Sequence, residues 1–170
     1  CKMRLKLFVF LFVVTSFVAK SQTSNILSDS DYQNIKINNV IITDLKKAKG
    51  KKASVEKLLG AATSFTKDEN EIYHYFKFNG LSVDFVMRGS GKPHIESFEI
   101  TNDQASLTVK GVTISVGDNI SKLGEVVFMV SRNGDKSILY TDCEDCDSFV
   151  NIEFDQGTNV ITKISYMDMS

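Results

Sequence analysis

Residues Glu71 to Arg88 read EIYHYFKFNGLSVDFVMR, and the reading of this stretch decides the fold. Apolar and polar residues alternate on both sides of Asn79-Gly80, and Asn-Gly between alternating runs is the strongest short signal for a β-hairpin. A two-residue loop sets which residues face each other. Phe78 then lies opposite Leu81, Phe76 opposite Val83, His74 opposite Phe85 and Ile72 opposite Met87. That face is almost wholly apolar and must turn toward a core. The other face sets Lys77 against Ser82, Tyr75 against Asp84 and Tyr73 against Val86, and Arg88 continues it. Tyr and Arg are enriched where proteins bind proteins. Tyr73, Tyr75, Lys77, Asp84 and Arg88 are therefore the candidate binding residues.

Working outward, a third strand is expected over Ile95 to Thr101, after a loose turn at Gly89-Ser90-Gly91-Lys92-Pro93. Upstream, SVEKLLG has a helical pattern, with Ser54 as its expected N-cap and Val55, Leu58 and Leu59 on one face. Ahead of it stand NNVIITD, from Asn38 to Asp44, and the basic run LKKAKGKKA. The same order then recurs. KGVTISVGD begins at Lys110. NISKLGEVV follows, with Asp118 or Asn119 as cap, and Ile120, Leu123 and Val127 share a face. Three more strand-like runs cover Ser137 to Asp142, Phe149 to Asp155 and Val160 to Met167. Self-similarity of this kind suggests two copies of one unit, residues 38–101 and 110–168. The polar stretch 22–37 reads as a flexible leader.

The first residues, CKMRLKLFVFLFVVTSFVAKSQT, have the layout of a secretory signal. Lys2, Arg4 and Lys6 precede an apolar run, and Ala19-Lys20-Ser21 places small residues before an expected cleavage ahead of Gln22. The apolar run is shorter than the ~18–20 residues that a membrane-spanning helix needs. Met3 is the expected start. Cys1 precedes the apolar run, where no lipid-bearing cysteine would stand, so no membrane anchor is expected after cleavage of residues 1–21. Removing Lys2, Arg4, Lys6 and Lys20 leaves 16 basic against 21 acidic residues. That balance argues against nucleic acid and anionic membrane as partners. The expected location is periplasmic or secreted.

Export decides how YTDCEDCDSF, from Tyr140 to Phe149, is read. Two cysteines in an oxidising space form one disulfide. A redox-active C-x-x-C wants cations or a helix N-terminus, whereas here Asp142, Glu144, Asp145 and Asp147 surround the thiols and a strand follows. Zinc wants four ligands and the stretch offers two thiolates. The carboxylate spacing does not match a calcium loop. A clip between Cys143 and Cys146, pinning a turn between strands, is the reading, with no metal and no cofactor expected.

Catalytic motifs are weak. Gly89-Ser90-Gly91-Lys92 lacks the rest of a phosphate loop and Lys92 precedes Pro93. Ser90 is not in a nucleophile elbow. His74 alternates with apolar residues and reads as a satisfied core histidine. Asp84, Glu96, Glu99 and Glu153 lie on strands, but spacing singles out no catalytic pair. The run Lys46 to Lys52 reads as a solvated loop able to meet an acidic partner.

The tandem of a short helix and antiparallel strands, carried by Ser54 to Gly60 and Asp118 to Val126, resembles the β-lactamase-inhibitor-protein-like fold. The outer-membrane assembly lipoprotein BamE shares a single unit of that kind. The resemblance implies an α+β chain of two similar halves, each a short helix packed on an antiparallel sheet. It also implies protein binding without catalysis, with another envelope or secreted protein as partner. The alternative reading is a periplasmic hydrolase, or a sensor of small ligands or cations built around Asp142 to Asp147.

Overall fold

The computed structural model describes residues 25–87 and 93–169. The signal-like segment 1–21, Arg88 and most of the Gly89–Pro93 turn lie outside the described residues. Within them the fold is mixed α+β, with few helices and one large sheet.

The chain begins with β1 (Asn25–Ile26), α1 (Asp29–Gln33), β2 (Lys36–Ile37), β3 (Val40–Ile41), α2 (Ile42–Lys47) and α3 (Lys52–Leu59). A first meander follows: β4 (Ser64–Lys67), β5 (Tyr73–Phe78), β6 (Leu81–Val86) and β7 (His94–Ile100). Next come β8 (Leu107–Val109), β9 (Val112–Ile114) and a single 3-10 turn at Ile120–Leu123. The second meander is β10 (Phe128–Val130), β11 (Lys136–Thr141), β12 (Ser148–Phe154) and β13 (Ile161–Asp168).

The Asn79-Gly80 turn gives the register expected of it, from Phe78 opposite Leu81 to Tyr73 opposite Val86. Gly80 has φ 74°, and a Cβ there would collide with the Asn102 side chain, so the position requires glycine. The Met87 amide donates to Ile72 O at 2.6 Å and extends the pairing by one step. Ile72 departs from its expected place in the core: it precedes β5, beyond the covered part of the face, and is 42% exposed.

The two meanders do not form separate helix-covered sheets. The last strand of each pairs with the other, Ser97 to Ile100 against Met167 to Ile164, and produces one continuous order β4-β5-β6-β7-β13-β12-β11. Both β10 and β1 pair with the far side of β11, giving nine strands. Joining β7 to β13 satisfies two rows of backbone groups that separate sheets would leave at open edges. A smaller sheet has the order β3-β2-β8-β9. Its two hairpins turn at Asn38-Asn39 and Lys110-Gly111, all four residues with positive φ, as the primed turns of two-residue loops require.

Three further expectations are corrected. The leader 22–37 is not loose over its described part. Leu27, Ile35 and Ile37 are buried, and β1 and β2 join the large and small sheets. Ser54 does not cap the first-half helix, because α3 begins at Lys52 with Lys51 at the cap position and no side-chain cap bond. In the second half the helix is one 3-10 turn. The Asn119 side chain caps it by accepting from the Ser121 amide, and Gly124 ends it with φ 71°.

One face of the large sheet meets the helices and the small sheet. Phe76, Phe85, Phe98, Ile100, Ile138 and Ile152 from the large sheet join Leu45 and Val55 from the helices and Ile37, Leu107 and Ile114 from the small-sheet region in a single buried cluster. At the joint between meanders the Phe98 and Tyr166 rings stack at 5.2 Å. Strand residues alternate between buried and half-exposed, the pattern of an antiparallel sheet covered on one side.

Candidate binding surface

The outward face of the large sheet follows from that alternation, and the strand register lays its residues out in rows. One row runs Thr66, Tyr75, Asp84, Ser97, Met167, Phe149 from β4 across to β12. A parallel row carries Lys77, Ser82, Glu99, Ser165, Asn151 and Leu139. A third sets Tyr73 against Val86 and His94. The candidates Tyr73, Tyr75, Lys77 and Asp84 thus share one face over β5 and β6. Arg88 lies outside the described residues.

The two tyrosines are half-buried and their rings stack, centroids 6.1 Å apart and 14° from parallel. Each ring limits the other's rotation, so a partner would meet them already ordered. Partial burial and then the Asp68 and Asp84 carboxylates raise the Tyr75 phenol above its usual pKa, and it stays a neutral donor. Asp84 accepts from the Ser97 hydroxyl at 3.2 Å. Burial raises its pKa; the Ser97 bond opposes this, while Glu96 and Glu99 reinforce it. A register shift beside Asp84 and Phe85 leaves Glu96 as the extra residue of a bulge in β7.

Beside the tyrosines the face dips into a hollow of about 370 Å³, with Asp84, Glu99, Asn151, Glu153 and Lys163 among its lining. Lys163 donates to Glu153 at 2.8 Å, and this bond raises the amine's pKa. Asn151 Oδ1 is buried there with no hydrogen-bond partner. Met167, 43% exposed, and half-buried Phe149 supply the apolar end of the Tyr75 row. These two were missed because they come from β13 and β12, brought beside β7 by a long-range pairing. Their signal was present in the alternation of Phe149 with Val150 and of Met167 with Tyr166.

The other candidates are elsewhere. His74 is buried, its Nδ1 is 2.8 Å from Gly50 O, and its ring meets the Phe65 edge, as a satisfied core histidine does. The basic run is not simply a solvated loop. Lys46 bonds buried Asp168 at 3.2 Å, and Lys47 bonds Asp44 at 2.8 Å. Cys143 and Cys146 form a disulfide in the loop between β11 and β12, with Cα atoms 5.3 Å apart. Among the described residues no helix is long and apolar enough to cross a membrane.

No protein-family model and no curated protein matches the chain. Solved structures similar to it include the following two. One is an extracellular protein containing an SCP domain from Bacillus anthracis, 13% identical with TM-score 0.42, covering 69% of this chain and 42% of its own. The other is a cysteine-rich secretory protein from Staphylococcus aureus, 11% identical with TM-score 0.46, covering 85% of this chain and 51% of its own. The chain therefore spans about half, or less, of the length of these structures. Likeness at this level transfers no activity. It does correct the family expected from the sequence. The similar structures are described by SCP-domain and cysteine-rich secretory proteins, not by β-lactamase-inhibitor-protein-like or BamE-like ones.

Proposed function

We propose that the chain is an exported, non-catalytic protein-binding module that uses the outward face of its large sheet. Tyr73, Tyr75, Lys77 and Asp84 are its contacts, with Arg88 added from sequence position alone. The carrying observation is the row Tyr75, Asp84, Ser97, Met167, Phe149, in which tyrosine, methionine and phenylalanine flank a polar centre. Aromatic residues and methionine are the side chains enriched at protein interfaces. Export rests on the signal-like start, and the partner is another envelope or secreted protein. The test is capture by the immobilised chain from envelope extract and culture fluid. Loss of the captured protein with Tyr73→Ala/Tyr75→Ala supports the reading, and equal capture by that folded variant removes it.

The two halves are further proposed to be copies of one unit. The mirrored strand order supports this: each half has a hairpin in the small sheet and a four-stranded meander in the large one, paired first strand to first and last to last. On this reading the units start at Lys36 and Leu107, slightly ahead of their expected boundaries.

One observation favours a second reading, carboxylate-based hydrolysis. Asp84, with its raised pKa, shares a hollow with Glu99 and Glu153. That reading requires turnover of a glycoside that Asp84→Asn abolishes.

A further inference from the structure

The loop between β11 and β12 holds a second group of interacting side chains, apart from the sheet face. A carboxylate oxygen of Asp142 and the sulfurs of Cys143 and Cys146 all lie within 4.8 Å of one another. Independently, Asp142 Oδ1 is buried and has no hydrogen-bond partner. A buried carboxylate oxygen without a donor is unfavourable, and a cation beside it would relieve it. Cys143 is exposed and Cys146 half-buried, so a reductant and a metal ion can both approach. The base of the loop does not depend on the disulfide. Buried Thr141 donates through Oγ1 toward Cys143 O at 3.0 Å and Ser148 O at 3.3 Å, and the Met169 amide donates to Asp147 O at 3.0 Å. Two cysteines separated by two residues have the spacing with which a turn grips one tetrahedral metal.

We propose that reduction converts this clip into a binding site for a thiophilic divalent ion such as Zn²⁺. Cys143 Sγ, Cys146 Sγ and an Asp142 oxygen are its three protein ligands, and water is the fourth. A dithiol reductant supplies two electrons and two protons. The S–S bond breaks to two thiols while the reductant closes its own disulfide. The metal ion then displaces both thiol protons to solvent and bonds the two thiolates. Three protein ligands with an open fourth position is an established zinc arrangement. The oxidised loop offers no thiolate and does not bind. Asp145 and Asp147, both exposed on the same loop, attract the cation without ligating it.

The test uses the full folded chain, oxidised or reduced with a phosphine, titrated with Co²⁺ and followed by thiolate-to-cobalt charge-transfer absorption. The reduced chain should bind one equivalent that Zn²⁺ displaces, with an unchanged circular dichroism spectrum, and the oxidised chain none. Asp142→Asn should weaken binding at least about tenfold, since even supporting groups around a metal are worth that much. Asp145→Asn should change it much less. The proposal is overturned if the reduced chain develops no charge-transfer band, if it loses its folded spectrum, or if Asp142→Asn binds as tightly as the parent chain.

Discussion

The two faces of the large sheet are built from the same strands and do opposite things. On the inner face Phe76, Phe85 and Phe98 are fully buried, and the Phe76 and Phe85 rings meet edge to face at 5.7 Å. On the outer face the residues one step before them in sequence are Tyr75, Asp84 and Ser97, half-exposed, with the Ser97 hydroxyl donating to Asp84. Alternation along a strand separates the two sets by a single residue step. The inner face supplies stability by removing apolar surface from water. The outer face keeps aromatic surface and carboxylates that the fold does not consume. The second half could have covered that outer face; instead it continues the sheet through β7 and β13 and enlarges it.

This contrast can be broken most severely from inside. Phe85→Ala should cost about 3–5 kcal/mol, the range for emptying a buried aromatic site, measured by urea unfolding. A loss below about 1 kcal/mol would mean that the inner face is not the packed side. Next comes Asp168, the polar end of the inner face on β13. It accepts from Lys46 and from the Tyr166 hydroxyl, each at 3.2 Å. Burial first, and then Tyr32 and Asp168, hold the Tyr166 phenol far above its ordinary pKa, so it stays protonated and donating. Asp168→Ala should cost roughly 1–3 kcal/mol, because the buried Tyr166 hydroxyl loses its acceptor, while Lys46, 37% exposed, can turn to solvent.

Outside, the same measurement should respond less. Tyr73→Ala/Tyr75→Ala should cost below about 2 kcal/mol, since the rings are half-exposed and leave no closed cavity. A core-sized loss would make these tyrosines part of the packing and end the binding proposal. The smallest effect concerns Asp84. Its folded pKa is raised, so the folded chain holds this proton more tightly than the unfolded one. The associated stability is present below the ordinary carboxylate range and is lost as pH rises through the folded pKa. Asp84→Asn should therefore leave stability within about 0.5 kcal/mol at neutral pH, favouring the variant if either. Its stability relative to the parent should fall as pH is lowered toward the acid range. An opposite trend would show that the carboxylate is held by a cation.

How much of this was readable beforehand depends on the range of each interaction. The β5–β6 register follows from two residues, Asn79 and Gly80, because a two-residue loop leaves the strands one pairing. Six of the strands follow from alternation, as with Val150, Ile152 and Phe154 on β12. Ile72 was misplaced because alternation says which side a residue faces and not where the covering layer stops. Residues 25–37 looked like a leader because Leu27, Ile35 and Ile37 are diluted among polar neighbours, although each is buried. The helix around Ile120 was overread, since Gly124 limits it to one turn. The β7–β13 joint has no local signature at all. It places Met167 beside Ser97, with Phe149 next to Met167 on β12, and so sets the apolar end of the outward face.

The central claim, that the outward face carries the binding, is tested most directly by photo-crosslinking from single positions in the folded chain. A photoreactive side chain at Lys77 or Met167 on that face should crosslink to the same partner protein. One at exposed Lys110, in the turn of the small sheet, should not. Crosslinking from Lys110 with none from Lys77 or Met167 would contradict the account and move the binding surface to the small sheet.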